Sequence, residues 1–257
     1  MKREISKIGA VIRRELLEIR SGRMIAVFGL FALFQGALMF VSEETGRIED
    51  AFLIFMLGGL VAVLIGFDGI SRERENRTMD LLLTQGISRW GLYTAKWISL
   101  MLLCIAAAGT AVLGGVLGSL LSGKPVARPD FLVEFAATAW LLGVYGAMAL
   151  ACSVMLRRGK WALIAAIVIW MVFRPMVIGM LVLGPVSNAL GLSRNEIWRI
   201  AACLPEYAFR FVLDPAHASP PDVSVPAWIA YAALAAYLAA FTCIGWLAFR
   251  RQDEPTA

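Results

Sequence analysis

Histidine occurs once in this chain, at His217, and charged residues make up only 17% of its 257 positions. One histidine in a proline-rich stretch supplies neither a histidine metal site nor a Ser–His relay, and no HExxH pattern occurs. No GxxxxGKS or GxxxxGKT occurs either, so the chain has no P-loop to cradle nucleotide phosphates. Cysteine is sparse: Cys104, Cys152, Cys203 and Cys243 show no CxxC and no metal-ligand spacing. Three of the four fall in apolar stretches and read as small buried hydrophobes, with no disulfide or redox role implied. The alternation over about ten residues that marks a membrane β-strand is missing. The first apolar stretch also lacks a small-residue cleavage site at its end, which predicts a retained span rather than a removed signal peptide.

What the chain has is hydrophobicity, 60% of it, in six long runs at roughly 24–41, 51–70, 97–121, 131–156, 160–184 and 226–249. A bilayer core takes about 20 apolar residues per helix. The expectation is an all-α integral membrane protein of six transmembrane helices, one transmembrane domain over 1–257. Its net charge of +5 is unevenly placed. Seventeen of the 24 basic residues lie before the first run, after the second, after the fourth and after the sixth. The positive-inside rule then puts both termini in the cytoplasm, and six spans agree with that. Cations distributed in this way point to a lipid bilayer, in a cell (inner, cytoplasmic) membrane, and not to nucleic acid.

Between the runs, residues 2–23 repeat Ile5, Ile8, Ile12, Leu16 and Ile19 at helical spacing among basic residues, which predicts an interfacial amphipathic helix. Gly114 and Gly118 form a GxxxG in the third run, where two helix backbones approach closely; the neighbour is either in this chain or in a second copy. In the external segment 185–225, Ser193 and Glu196 form a capping box ahead of Ile197, Ile200, Ala201 and Leu204. Pro205 interrupts, and Tyr207, Phe211 and Val212 follow, so two short external helices are expected, then a proline-rich loop.

Two ionisable groups fall within the runs. Asp68 lies near the inner end of the second. Arg174, followed by Pro175, lies near the middle of the fifth, where a charge costs about 2.5–3.5 kcal/mol and must face protein or water. Pathway or gate residues and a packing kink are both open readings of that pair. Asp68-Gly69 and Arg72 also sit at offsets of the DxxDGxxAR motif of CDP-alcohol head-group transferases. Ile65 replaces its first aspartate, Ser71 its alanine, and no GxxxDxxxD follows, so the carboxylates needed to hold divalent cations are missing. No metal site is expected.

One polar island stands out, Ser71–Asp80, SRERENRTMD, followed by Leu81-Leu82-Leu83. Gly86 suits a helix end and Ser88 the cap of the next helix. With the helix at 2–23 and the external pair of helices, the stretch 71–97 resembles the permease subunit of type 2 ABC transporters. Glu73, Glu75, Thr78, Asp80, Leu81, Leu82, Ser88, Arg89 and Lys96 occupy that pattern. Arg77 stands where glycine is usual before the threonine, and Gln85-Gly86 where a proline commonly turns the chain. The layout is also similar to permeases of multicopper-enzyme maturation, the nitrous-oxide-reductase type, although no residue set here indicates copper.

The resemblance implies a cytoplasmic coupling helix within 71–90 that docks a separate ABC-type ATPase subunit. Arg72, Glu73, Arg74, Glu75, Arg77, Thr78, Asp80, Leu81 and Leu82 are its docking candidates. It implies a homodimer and export, with ATP and Mg on the partner subunit, no cofactor on this chain and no enzymatic activity of its own. Another class of reading is open: a membrane-anchored mechanical transducer that couples an ATPase to an external partner without moving cargo. That protein would be sensitive within 193–213, whereas a permease would be sensitive at Arg174.

Overall fold

In a bilayer the backbone must satisfy its own hydrogen bonds, and over long apolar runs only a helix does so within one segment. The structure, a computed structural model, describes residues 2–18, 22–41, 49–84, 86–123, 131–156, 158–173, 189, 191–213 and 226–251. Among the described residues every regular element is a helix. In chain order they are α1 (Lys2–Glu18), α2 (Gly22–Val41), α3 (Glu49–Gly66), α4 (Ser71–Glu75), α5 (Thr78–Thr84) and α6 (Arg89–Leu121). Then come α7 (Phe131–Met155), α8 (Gly159–Val172), α9 (Arg194–Ala202), α10 (Pro205–Leu213) and α11 (Ala227–Arg251).

Three of these are long and apolar enough to cross a membrane: Arg89–Leu121, Leu132–Met155 and Trp228–Arg251. The 20 residues of α2, the 18 of α3 and the 14 of α8 are apolar throughout most of their length. Arg174 and Pro175 lie outside the described residues, as does His217.

α7 is the centre of the bundle. Residues 141–154 are buried without a break, as a helix apolar all round should be, and α7 packs against α3, α6, α8, α10 and α11. α2 and α6 meet backbone to backbone: a Cβ on Gly114 would strike the Ala32 carbonyl, and one on Gly118 the Gly36 carbonyl. The GxxxG neighbour is therefore α2 of the same chain.

Ser193 caps α9 as its spacing predicts, with Glu196 N donating to Ser193 Oγ at 3.4 Å and Ser193 N to Glu196 Oε2 at 2.8 Å. The Ser193 hydroxyl, donating to Glu196 Oε2 at 2.7 Å, and the Ser193 N–H hold the Glu196 carboxyl below its ordinary value. α10 does not simply lie on the outside. Ala208, Phe209, Phe211 and Val212 are all buried, and α10 packs on α7 and α11. Ala208 and Phe209 widen its apolar face beyond the Tyr207, Phe211 and Val212 stripe, and a face that wide is driven inward. Glu206 goes with it and accepts from Tyr145 Oη, near the middle of α7, at 3.3 Å.

α6, at 33 residues, is about 50 Å long, well beyond a hydrocarbon core of about 30 Å. Its first turns pack along α1, and Lys96 reaches α4. Phe249 and Trp246, near the end of α11, lie against Tyr93 with their rings tilted by 30° and 50°, and Trp246 meets Trp90 edge to face at 4.6 Å between ring centroids.

Candidate functional site

The polar island folds as two short helices with a break at Arg77. Asn76 ends α4 with its N–H on the Arg72 carbonyl, and Arg77 adopts φ +55°. This left-handed conformation is costly for a residue with a Cβ and easy for glycine. Thr78 opens α5, and its hydroxyl donates to the Glu73 carbonyl at 3.2 Å and to the Glu73 carboxylate. Gly86, at φ +75°, ends α5 with its N–H on Leu83 O. Ser88 Oγ then accepts from Gly91 N at 3.0 Å and caps α6.

Among the island's described charges, Glu73 is the one turned fully inward. Glu73 is 6% exposed; its Oε1 lies 3.0 Å from Lys96 Nζ on α6 and 3.6 Å from Arg14 on α1. Lys96, itself 5% exposed, also holds Glu15 of α1 at 2.6 Å. Two cations and two carboxylates thus join α1, α4 and α6. Burial pushes the Glu73 carboxyl up, but Lys96, Thr78 and Arg14 outweigh it and hold it below its ordinary value, so it is ionised at neutral pH.

The other side of α4 is tied to the bundle. Ile70 N and Ser71 N both donate to Ser153 Oγ of α7, at 3.0 and 2.9 Å. Arg74 donates to Val154 O at 2.7 Å, and Glu75 Oε1 accepts from Gly159 N, at the start of α8, at 2.8 Å. A helix of five residues has almost no stability of its own. These side-chain bonds hold it to four other helices.

Of the docking candidates, Glu73 and Leu82 are buried, and Arg74 and Thr78 are half-buried. Arg72, Glu75, Arg77 and Leu81 are exposed, Leu81 at 59%. The Asp80 side chain lies outside the described residues, although its backbone is part of α5. Asp68 is half-buried on the turn between α3 and α4, beside the island and not inside the bundle. Between α1 and α5 a cleft of about 350 Å³ has an apolar floor that includes Val11, Leu82 and Ile87, with Lys7 and Arg14 on its rim. Lys7 Nζ also donates to Gly86 O at 3.2 Å, across from α1 to the α5–α6 turn.

Sequence reasoning missed Glu15, Ser153 and Gly159 as partners of the island. Glu15 did carry a signal: it lies on the same face of α1 as Ile8 and Ile12, and a carboxylate on an apolar stripe requires a buried cation. Ser153 and Gly159 carried none, because a hydroxyl or a glycine near a helix end has many uses. Among the described residues no group of three or more His, Cys, Asp or Glu is placed to hold a metal ion.

The family model for ABC-2 family transporter proteins matches residues 24–254. No curated protein matches the chain.

Proposed function

The chain belongs to the ABC-2 transporter family, as a multi-pass transmembrane permease of an ABC transporter, and on that premise we propose how its parts work. Six spans cross the cell membrane, α2, α3, α6, α7, the segment that begins with α8, and α11, with both termini in the cytoplasm. A separate ABC-type ATPase, carrying ATP and Mg, docks on α4–α5, which serve as the coupling helix. Two copies of the chain form the transport unit, and the direction is export. A narrower reading, a permease of the multicopper-enzyme-maturation type, rests on layout alone; maturation of a copper enzyme in a strain lacking the chain tests it.

One observation carries the docking reading. The island is fastened on its inner side to α1, α6, α7 and α8, while its outer side presents Arg72, Arg77 and Leu81 beside the basic-rimmed cleft. A segment held this firmly moves as part of the bundle, and an apolar knob among cations suits an acidic partner surface. The transducer reading has less support: α10 is packed into the bundle rather than standing free as an arm.

The test is co-purification of the tagged chain from its host in mild detergent. Wild type should bring down an ATPase. Leu81→Glu with Arg77→Glu should lose it by about tenfold or more, since rim charges and one apolar anchor contribute on the order of 1–2 kcal/mol together. An ATPase held equally by this variant would move the docking site elsewhere. Its absence from wild type would remove the reading.

A further inference from the structure

We infer that the cleft between α1 and α5 binds an anionic phospholipid of the inner leaflet, with its phosphate at Lys7 and Arg14 and the start of an acyl chain on the apolar floor. The inference needs only that this end of the bundle lies at the inner membrane surface. It does not depend on where an ATPase docks.

The depth of the cleft comes from the aromatic residues beside it. Trp90 is 55% exposed and meets Trp246 edge to face, and Arg250 and Arg251 follow in the next turn of α11. Tryptophan next to a terminal pair of cations marks the head-group level of a bilayer. The cleft lies at that level. Ile87 in its wall comes just before Trp90 in sequence, and α1 passes the same turn of α6: a Cβ on Gly91 would come within 3.4 Å of Ile8 Cδ1.

The chemistry of the cleft is that of an amphiphile with one negative group. Its floor, which includes Val11, Leu82 and Ile87, is buried and apolar. Lys7 and Arg14 stand on the rim, and no carboxylate is among the described residues that line it. Lys7 Nζ gives its 3.2 Å bond to a neutral carbonyl, Gly86 O. Arg14 approaches Glu73 at 3.6 Å with its side chain 46% exposed, and Lys96 holds that carboxylate more closely, at 3.0 Å. Basic pockets on the cytoplasmic side of a membrane protein suit phosphate head groups, and the apolar floor gives an attached chain a place that a free anion would leave uncovered. The volume of about 350 Å³ takes a head group and the first part of one chain, not a whole lipid. An acidic peptide fits less well, because its backbone N–H and C=O groups need partners. Beside the two cations, the polar side chain among the described lining residues is Thr78, and its hydroxyl is already on Glu73.

Native mass spectrometry of the purified full-length chain tests this, with phosphatidylglycerol and phosphatidylcholine of the same chain length titrated separately. Wild type should retain phosphatidylglycerol at a concentration about tenfold lower than phosphatidylcholine, and Lys7→Gln with Arg14→Gln should abolish the preference. Ala10→Trp fills the cleft from its exposed α1 wall and leaves both charges in place, so it should lose the phosphatidylglycerol as well. If the double variant does not fold, Ala10→Trp decides alone. Arg250→Gln with Arg251→Gln, exposed cations at the same end but outside the cleft, should keep the lipid as wild type does.

Equal retention of the two lipids by wild type overturns the inference, as does an Ala10→Trp variant that binds phosphatidylglycerol normally. An equal loss in the Arg250 and Arg251 variant would also overturn it, by showing attraction to the surface as a whole. Displacement of the lipid by inorganic phosphate would make the cleft a site for a free anion, and the lipid assignment falls. An Ala10→Trp variant that keeps its lipid but loses a co-purifying ATPase would give the cleft to the partner protein instead. Failure of wild type to bring down any ATPase overturns the docking reading and leaves the lipid result standing.

Discussion

Arg77 is the residue where local conformation and surface chemistry pull in opposite directions. Its φ of +55° is the conformation a glycine would supply, and glycine is what the family pattern puts there. An L-residue in this region costs about 1–2 kcal/mol, and glycine gives back about 0.5–1 kcal/mol through its freer unfolded state. Arg77→Gly should therefore raise stability by up to about 1 kcal/mol, seen as a higher melting temperature in detergent. The same change removes an exposed cation from the proposed docking face, so on that proposal the gain in stability should come with weaker ATPase capture. A fall in melting temperature would mean the side chain contributes more than its backbone strain costs.

At the scale of the element, the tightest test is the α2–α6 seam. A methyl on Gly118 has nowhere to go but into the Gly36 backbone, whereas a methyl on Gly109 would find its nearest atom, Phe135 Cε2, at an ordinary 3.8 Å. Gly118→Ala should destabilise by about 1–3 kcal/mol as the helices are forced apart. Gly109→Ala should be neutral or slightly stabilising, because alanine is the better helix former. Thermal unfolding of the two variants side by side checks this; equal behaviour would mean the seam is slack. Elements of this kind were largely legible in the sequence. Apolar runs, the Ser88 and Ser193 caps and the small-residue spacing are set by neighbours within a few residues or by the bilayer itself. Which way the island faces was not legible. Helices of five and seven residues are too short for periodicity to define a face, and the left-handed turn at Arg77 resets the phase between them. Glu73 and Glu75 thus read as unpartnered charges until Lys96, Arg14 and Gly159 are placed beside them, and those partners come from 23 to 84 residues away in the sequence.

For the whole molecule, the question is which end lies where. The structure gathers α1, α4, α5, the start of α6, the end of α7, the start of α8 and the end of α11 at one end of the bundle. These are the segments that carry or border most of the basic residues, so a rule about charge and a set of contacts select the same end. An even number of crossings follows if both termini belong to it. Membrane-impermeant maleimide on intact cells tests this, with Cys243 replaced by alanine throughout and Cys203 also replaced in the two island-end variants. Ser6→Cys and Thr84→Cys, exposed at the island end, should label only after permeabilisation. Native Cys203 and an added Asn195→Cys, both exposed at the α9 end, should label from outside. The reverse pattern would invert the protein and put the island beyond the reach of any cytoplasmic ATPase. Labelling of Ser6→Cys and Thr84→Cys from opposite sides would be more damaging still, because α1 and the α5–α6 turn are joined by Lys7 and Gly86 and cannot be divided by a bilayer.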